Sequence, residues 1–217
     1  FGDIGAWKVS AIDDRQRRAM GLAQPIGAPV PARWTLESPA RVGEAEFIQP
    51  LLECEFAFEL GADLPSRDEP YTRAEVEAAI AALRIAIEVC DSRLPPASPI
   101  LAQLADGFNN GALVVGPRHA DWRGVDYASH GITLRFDGGQ GPRVIATGNG
   151  APILGGDPVA AVVLMANLTP QVHGGLRRGQ VVTTGTCTGA VALPGVGEIE
   201  ADFGMLGSVR LRCERES

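Results

Sequence analysis

Positive charge is what this sequence is short of: 19 Lys and Arg residues stand against 26 Asp and Glu, giving a formal charge of −7 and a pI near 5.0. Nucleic acids and anionic membrane surfaces both reward basic patches, so the balance argues against either partner and for a small-molecule substrate. Cysteine is scarce as well. Cys54, Cys90, Cys187 and Cys213 lie far apart, with no CxxC or Cys/His spacing, which argues against a zinc site or a dense disulfide framework. Reduced thiols in a cytoplasmic protein fit best. No apolar run reaches the ~18 residues that a membrane helix requires. The sequence has no charged-then-apolar leader, no internal repeat and no Gly-rich phosphate loop. What remains is a chain of 217 residues, enough to bury about 70 per cent of its unfolded surface, so one domain over residues 1–217 is the default.

The clearest pattern that is present runs from Leu52 to Leu60. Leu52, Cys54, Phe56, Phe58 and Leu60 alternate with Glu53, Glu55, Ala57 and Glu59, a period of two that predicts a half-buried strand. Residues two apart share a face, so Glu53 and Glu55 point the same way and repel unless something positive lies between them. A solvated strand face is the ordinary reading of such a pair, and a hard divalent cation is the alternative.

Around this strand the sequence predicts a mixture of elements. Glycines lead into a short strand at Trp7-Lys8-Val9, where Lys8 reads as a snorkelling surface residue. A charged helix follows over 13–20, and the Pro- and Gly-broken stretch 21–33 reads as loop. Trp34 to Val42 reads as a strand with its turn. Thr72-Arg73-Ala74-Glu75 is a capping box, and Val76, Ile80, Leu83 and Ile87 follow at helical spacing. From Ile85 to Cys90 the helix either continues or gives way to a buried strand. Glu88, set between Ile87 and Val89, is accordingly either an exposed helix-end glutamate or a buried carboxylate that needs a partner or a metal. After a proline-rich loop, Asp106 to Gly111 forms a polar knot ahead of an apolar strand at Ala112–Gly116. Ile132–Phe136 and Arg143–Thr147 form a hairpin, Asp157-Pro158 starts a helix through Leu168, and Val181–Gly189 is a strand running out into threonines and glycines. Ile199 to Cys213 adds two strands. His119, His130 and His173 fall in unpatterned loops expected to be exposed.

Taken together these residues resemble the 2-keto-4-pentenoate hydratase group of the fumarylacetoacetate hydrolase superfamily, with its decarboxylase relatives. The likeness covers nearly the whole chain. It rests on Trp7-Lys8-Val9; Glu53-x-Glu55 with Ala57-Phe58-x-Leu60-Gly61 and Asp63-Leu64; and Ile87-Glu88-Val89-x-Asp91-Ser92-Arg93. It continues through Ala105-Asp106, Leu176-x-x-Gly179-x-Val181-Val182, Thr184-Gly185-Thr186-x-Thr188-Gly189 and Phe203-Gly204-x-Leu206-Gly207-Ser208-Val209. The resemblance implies an α+β fold in which a mixed, strongly curved β-sheet forms a barrel-like roll with peripheral helices. It implies Mg²⁺ or Mn²⁺ bound by Glu53, Glu55 and Glu88, and a metal-dependent lyase acting on a short 2-oxo or 2-hydroxy-alkenoate. Lys8 and Asp106 are the catalytic candidates, with Lys8 shuttling protons if burial lowers its pKa. Thr186, the backbone from Gly185 to Gly189 and Arg93 are the candidates for gripping substrate. A homo-oligomer, or a complex with a related subunit, is expected on the same ground.

The sequence departs from the family where Asp-Asn-Ala-Ser is usual: it reads Asp106-Gly107-Phe108-Asn109, a bulky ring for a small alanine and an amide for a hydroxyl. Asp157 stands where a histidine is common. The helical segment that precedes the Trp-Lys strand in the family lies outside the sequence given, which starts at Phe1 rather than Met. Hydration of a 2-hydroxydienoate in aromatic-compound breakdown is the leading expectation. Decarboxylation of a 2-oxo-alkenedioate or hydrolysis of a C–C bond would use the same enolate; hydrolysis is the weaker of the two, since no histidine is placed to pair with a carboxylate. A non-catalytic partner subunit is the rival from another class.

Overall fold

The computed structural model describes residues 2–95, 97–168 and 174–215. In chain order these hold β1 (Ile4–Ser10), α1 (Asp14–Ala19), β2 (Ile26–Pro31), β3 (Thr35–Glu37), β4 (Ala40–Gly43) and β5 (Leu51–Leu60). Then come β6 (Leu64–Pro65), α2 (Arg73–Ala79), β7 (Ile80–Cys90), α3 (Ile100–Ala105), β8 (Asn110–His119), β9 (Ile132–Asp137) and β10 (Arg143–Gly148). The remainder supplies α4 (Pro158–Leu168), β11 (Gly175–Leu176), β12 (Val181–Thr186), β13 (Val191–Ala192), β14 (Gly197–Asp202) and β15 (Ser208–Glu214).

The main sheet has the order β2-β1-β12-β5-β7-β8-β3, with β13 pairing the start of β5. It is mixed: β1 runs parallel to β12 and β3 to β8, and the other pairs are antiparallel. A second sheet, β10-β9-β14-β15-β4, packs across it. They come close at Gly116 of β8, where an added Cβ would lie 2.6 Å from Val209 Cγ2 of β15. The two sheets curl into a half-barrel with few helices, the α+β roll expected from the sequence.

The apolar face of β5 lies in the core between them. Leu52, Phe56, Phe58 and Leu60 are at most 1% exposed, each contributing about 2 kcal/mol by burial. The Phe56 ring meets Tyr127 edge-on at 5.0 Å and Phe203 at 5.7 Å. The opposite face is also covered at its centre, since Glu55 and Ala57 are buried, so the half-solvated strand read from the alternation is buried on both sides.

Two further expectations change. The stretch read as loop contains β2, whose Pro29 and Pro31 are tolerated because β2 is an edge strand with one neighbour. The capping box forms, with Glu75 N donating to Thr72 Oγ1 and Thr72 N donating to Glu75 Oε2, but the helix stops at Ala79 and β7 begins at Ile80. From Leu83 to Val89 every residue of β7 is buried. A segment apolar on every side suits a strand covered on both faces, which overrides the helical spacing of Leu83 and Ile87.

Candidate active site

The register of β5 against β7 sets the site. Glu53 lies directly opposite Glu88, and Glu55, two residues on, lies opposite Ala86. All three carboxylates are therefore on one face of adjacent strands, where facing Cβ atoms lie about 5 Å apart. Glu55 is 2% and Glu88 3% exposed, which settles the choice for Glu88: it is a buried carboxylate on a strand.

Lys8 comes to this cluster from β1, three strands from β7 in the sheet order, and the curl of the sheet closes that distance. Its Nζ donates to Glu88 Oε1 in an ion pair buried on both sides. The snorkelling reading of Lys8 is thereby overturned. Lys8 is also the single lysine of the sequence, every other cationic side chain being arginine. That count is a signal that pattern reading passed over.

β12 contributes backbone rather than side chains. Its pairing with β5 is irregular between Thr183 and Thr186, and this bulge turns two successive amides inward. Thr184 N and Gly185 N both donate to Glu55 Oε2, at 3.0 and 2.8 Å. Gly185 holds φ at 104° there, in the region that favours glycine. The Gly185 amide, expected to grip substrate, is thus engaged in orienting Glu55.

Burial, followed by the charges of Glu88 and Glu53, pushes the Glu55 carboxyl well above its usual range, and the Gly185 amide and Lys8 oppose this. Glu53 is raised by burial and then by Glu88. For Lys8, burial acts to lower the pKa, but Glu88, Cys90 and Glu55 outweigh it and the net direction is upward. The lowered pKa expected for proton shuttling is reversed, because the ammonium sits among carboxylates.

A cavity of about 580 Å³ opens onto this cluster. Lys8, Glu53, Glu55 and Thr186 line its polar side, and Val9, Ile12, Phe108 and Ile153 its apolar side. Thr186 Oγ1 is buried with no hydrogen-bond partner within the protein. A second cavity of about 550 Å³ adjoins it, the two sharing Cys90, Gln103 and Asn109.

Other sequence candidates stand apart. Arg93 and Asp106 meet each other: Arg93 Nε donates to Asp106 Oδ1 at 2.7 Å and Nη1 to the Asn110 carbonyl at 2.7 Å. Asp106 is not in the wall of the carboxylate cavity, and Arg93 lines the adjoining one. Gly189 is exposed and off the cavity wall. His119 and His130 are half-buried and donate to the carbonyls of Leu206 and Phe203. They brace the second sheet instead of lying exposed. His173 lies outside the described residues. One position was missed and another was noted only as a departure from the family. Cys90 follows Glu88 by two and so shares its face, a spacing legible in the sequence; Phe108 is placed in the wall by consecutive left-handed residues, with φ of 86°, 54° and 61° at Gly107, Phe108 and Asn109.

The donor chemistry fits a divalent cation. Three carboxylates and one ammonium leave a formal surplus of two negative charges in a largely buried site, and hard oxygen donors suit Mg²⁺ or Mn²⁺.

No protein-family model matches the chain. A 2-keto-4-pentenoate hydratase of Burkholderia vietnamiensis is 31% identical over 204 residues, covering 94% of this chain and 75% of the relative. The chain belongs to the 2-keto-4-pentenoate hydratase group of the fumarylacetoacetate hydrolase superfamily. In the same group a 4-oxalocrotonate decarboxylase of a Pseudomonas species is 30% identical over 192 residues, covering 88% of this chain and 71% of the relative. Among solved structures, the 4-oxalocrotonate decarboxylase of Pseudomonas putida G7 in complex with magnesium and adipate superposes with a TM-score of 0.84 at 25% identity, over 98% of this chain and 78% of that one. Fumarylpyruvate hydrolase of Pseudomonas aeruginosa, in complex with Mn²⁺ and pyruvate, gives 0.69 at 17% identity over 97% and 89% and shares the fold.

Proposed function

We propose that this chain is a divalent-metal-dependent lyase that hydrates a short 2-hydroxydienoate, and that residues 1–217 act as one catalytic domain. The observation that carries the reading is the cluster of half-buried Glu53 with buried Glu55, Glu88 and Lys8, formally two negative charges in surplus, in or beside the wall of a cavity that Val9, Ile12, Phe108 and Ile153 also line. When bound, Mg²⁺ or Mn²⁺ supplies Lewis-acid stabilisation of the negative charge that develops on a 2-oxo acid. Glu53, Glu55 and Glu88 hold it, and the Thr184 and Gly185 amides fix the Glu55 orientation. Lys8 keeps its proton on Nζ at neutral pH, so it orients Glu88 and presents a fixed positive charge to an anionic substrate. The Thr186 hydroxyl, unpartnered within the protein, donates to the substrate carboxylate. Val9, Ile12, Phe108 and Ile153 line the part of the cavity that takes the alkenyl tail.

Decarboxylation of a 2-oxo-alkenedioate is the second reading, kept by the decarboxylase relatives. A second carboxylate would need its own cation, and among the described residues Lys8 is the one cation in the cavity wall, which Asp13 also lines. The guanidinium next door, Arg93, is engaged with Asp106 and Asn110. This supports the monocarboxylate. Place in aromatic-compound catabolism and a cytoplasmic location, for which the four free thiols speak, belong to the same proposal, as does self-association of the chain. No helix among the described residues is long and apolar enough to cross a membrane.

The test is turnover with Mg²⁺ or Mn²⁺ of 2-hydroxypenta-2,4-dienoate against a 2-oxo-alkenedioate. A product one water heavier than the dienol, formed without CO₂ release, supports hydration, and CO₂ release from the dioate moves the assignment to decarboxylase. No turnover of either by the metal-loaded protein would leave the partner-subunit reading in its place.

A further inference from the structure

Cys90 belongs to the tightest group of ligand atoms among the described residues, and the carboxylate account leaves it without a role. Alternation along β7 puts it on the face of Glu88, and its Sγ lies 3.3 Å from Glu88 Oε1 and 3.6 Å from Glu53 Oε2. One oxygen of each glutamate and the sulfur all fall within 4.8 Å of one another. Among the described residues Glu55 does not join this group; its Oε2 is held by the Thr184 and Gly185 amides, so the donors that already stand together are two carboxylates and one sulfur.

Its surroundings separate Cys90 from the other three cysteines. Cys54, Cys187 and Cys213 sit within the hydrophobic core, as a thiol used for packing does. Cys90 lies at the junction of the two cavities, in the wall of both. An ion held between Glu53 and Glu88 would therefore meet the sulfur at the mouth of the adjoining cavity.

We propose that Cys90 is a ligand of the metal centre, which makes the site a mixed oxygen and sulfur one that favours borderline ions such as Co²⁺ or Zn²⁺ over Mg²⁺ more than carboxylates alone would. Soft sulfur adds affinity for those ions and little for Mg²⁺. On binding, the S–H proton leaves to solvent, sulfur supplies the electron pair, and no oxidation state changes. The proposal rests on the metal-dependent reading above.

Co²⁺ titration of the metal-free protein tests it, with Cys90→Ser alongside and Mg²⁺ affinities measured by calorimetry. The expected result is a sulfur-to-cobalt charge-transfer band in the near ultraviolet that saturates at one Co²⁺ per chain and is missing in Cys90→Ser. Co²⁺ affinity should fall roughly tenfold or more in the variant, with Mg²⁺ affinity changed less than about threefold. Stoichiometric Co²⁺ binding without the band overturns the sulfur ligand while leaving the metal-dependent reading intact. Failure of Co²⁺ and Mg²⁺ to bind at all overturns both. The wild-type spectrum decides the point even if Cys90→Ser does not fold.

Discussion

The same face of the same two strands carries buried charge at both ends, and the two ends are built differently. Toward the end of β5, Arg84 is 8% exposed and donates to Glu59 at 2.8 Å, to Glu37 at 2.5 Å and to the Gly116 carbonyl at 2.9 Å, while Arg118 donates to Glu59 at 3.0 Å. Two guanidiniums face two carboxylates, so the set is neutral and its donors are used. Toward the start of β5, Lys8 is the one cation among the described residues in the cavity wall beside Glu53, Glu55 and Glu88, which leaves a formal surplus of two negative charges. Buried charge without a partner is strongly unfavourable, so the first cluster reads as structure and the second as a receptor for a divalent cation.

Breaking the balanced end should have the largest effect. Arg84→Met leaves Glu59 half-compensated and the Gly116 carbonyl without its guanidinium, and should cost about 3 to 5 kcal/mol in a urea unfolding curve. At the unbalanced end the sign reverses. Glu53→Gln removes one surplus charge and should raise metal-free stability by about 1 to 3 kcal/mol, while lowering metal affinity by at least roughly tenfold. A loss of metal-free stability in Glu53→Gln would show that the cluster is already compensated.

pH sharpens the same contrast. Glu53 and Glu55 have folded pKa values raised above their ordinary 4.5. Their contribution to stability is therefore fully present below about 4.5 and is lost as pH rises through the folded values. The metal-free protein should lose this part of its stability on going from acid to neutral pH, and Glu53→Gln should flatten that fall in a series of thermal scans. The smallest effect belongs to the rim. Arg212 pairs with Glu198 on the solvent-facing side of the second sheet, and Arg212→Ala should leave the thermal midpoint essentially that of the wild type.

Much of this was legible in the residues themselves. The period of two fixed β5, the Thr72–Glu75 box fixed where α2 starts, and Asp157-Pro158 marked the start of α4. The shared face of Glu53 and Glu55 followed from the strand period. What was not legible depends on three dimensions. Whether Glu88 stood on a helix or a strand turned on burial from both sides, which periodicity does not report. The reach of Lys8 to Glu88 depends on sheet curl, and the engagement of the Gly185 amide with Glu55 depends on a bulge in β12. Arg93 and Asp106 were site candidates through the family resemblance, yet in the fold Arg93 pairs with Asp106 and neither lines the carboxylate cavity.

The central claim is that the buried surplus of negative charge exists to hold a divalent cation, and thermal unfolding of the metal-stripped protein with and without Mg²⁺ or Mn²⁺ tests it most directly. A cation at about a hundred times its Kd should stabilise the wild type by about 2.7 kcal/mol, seen as a raised midpoint that returns to its starting value on adding EDTA and is lost in Glu55→Gln. An unchanged midpoint in the wild type, with no metal retained after gel filtration, would contradict the account.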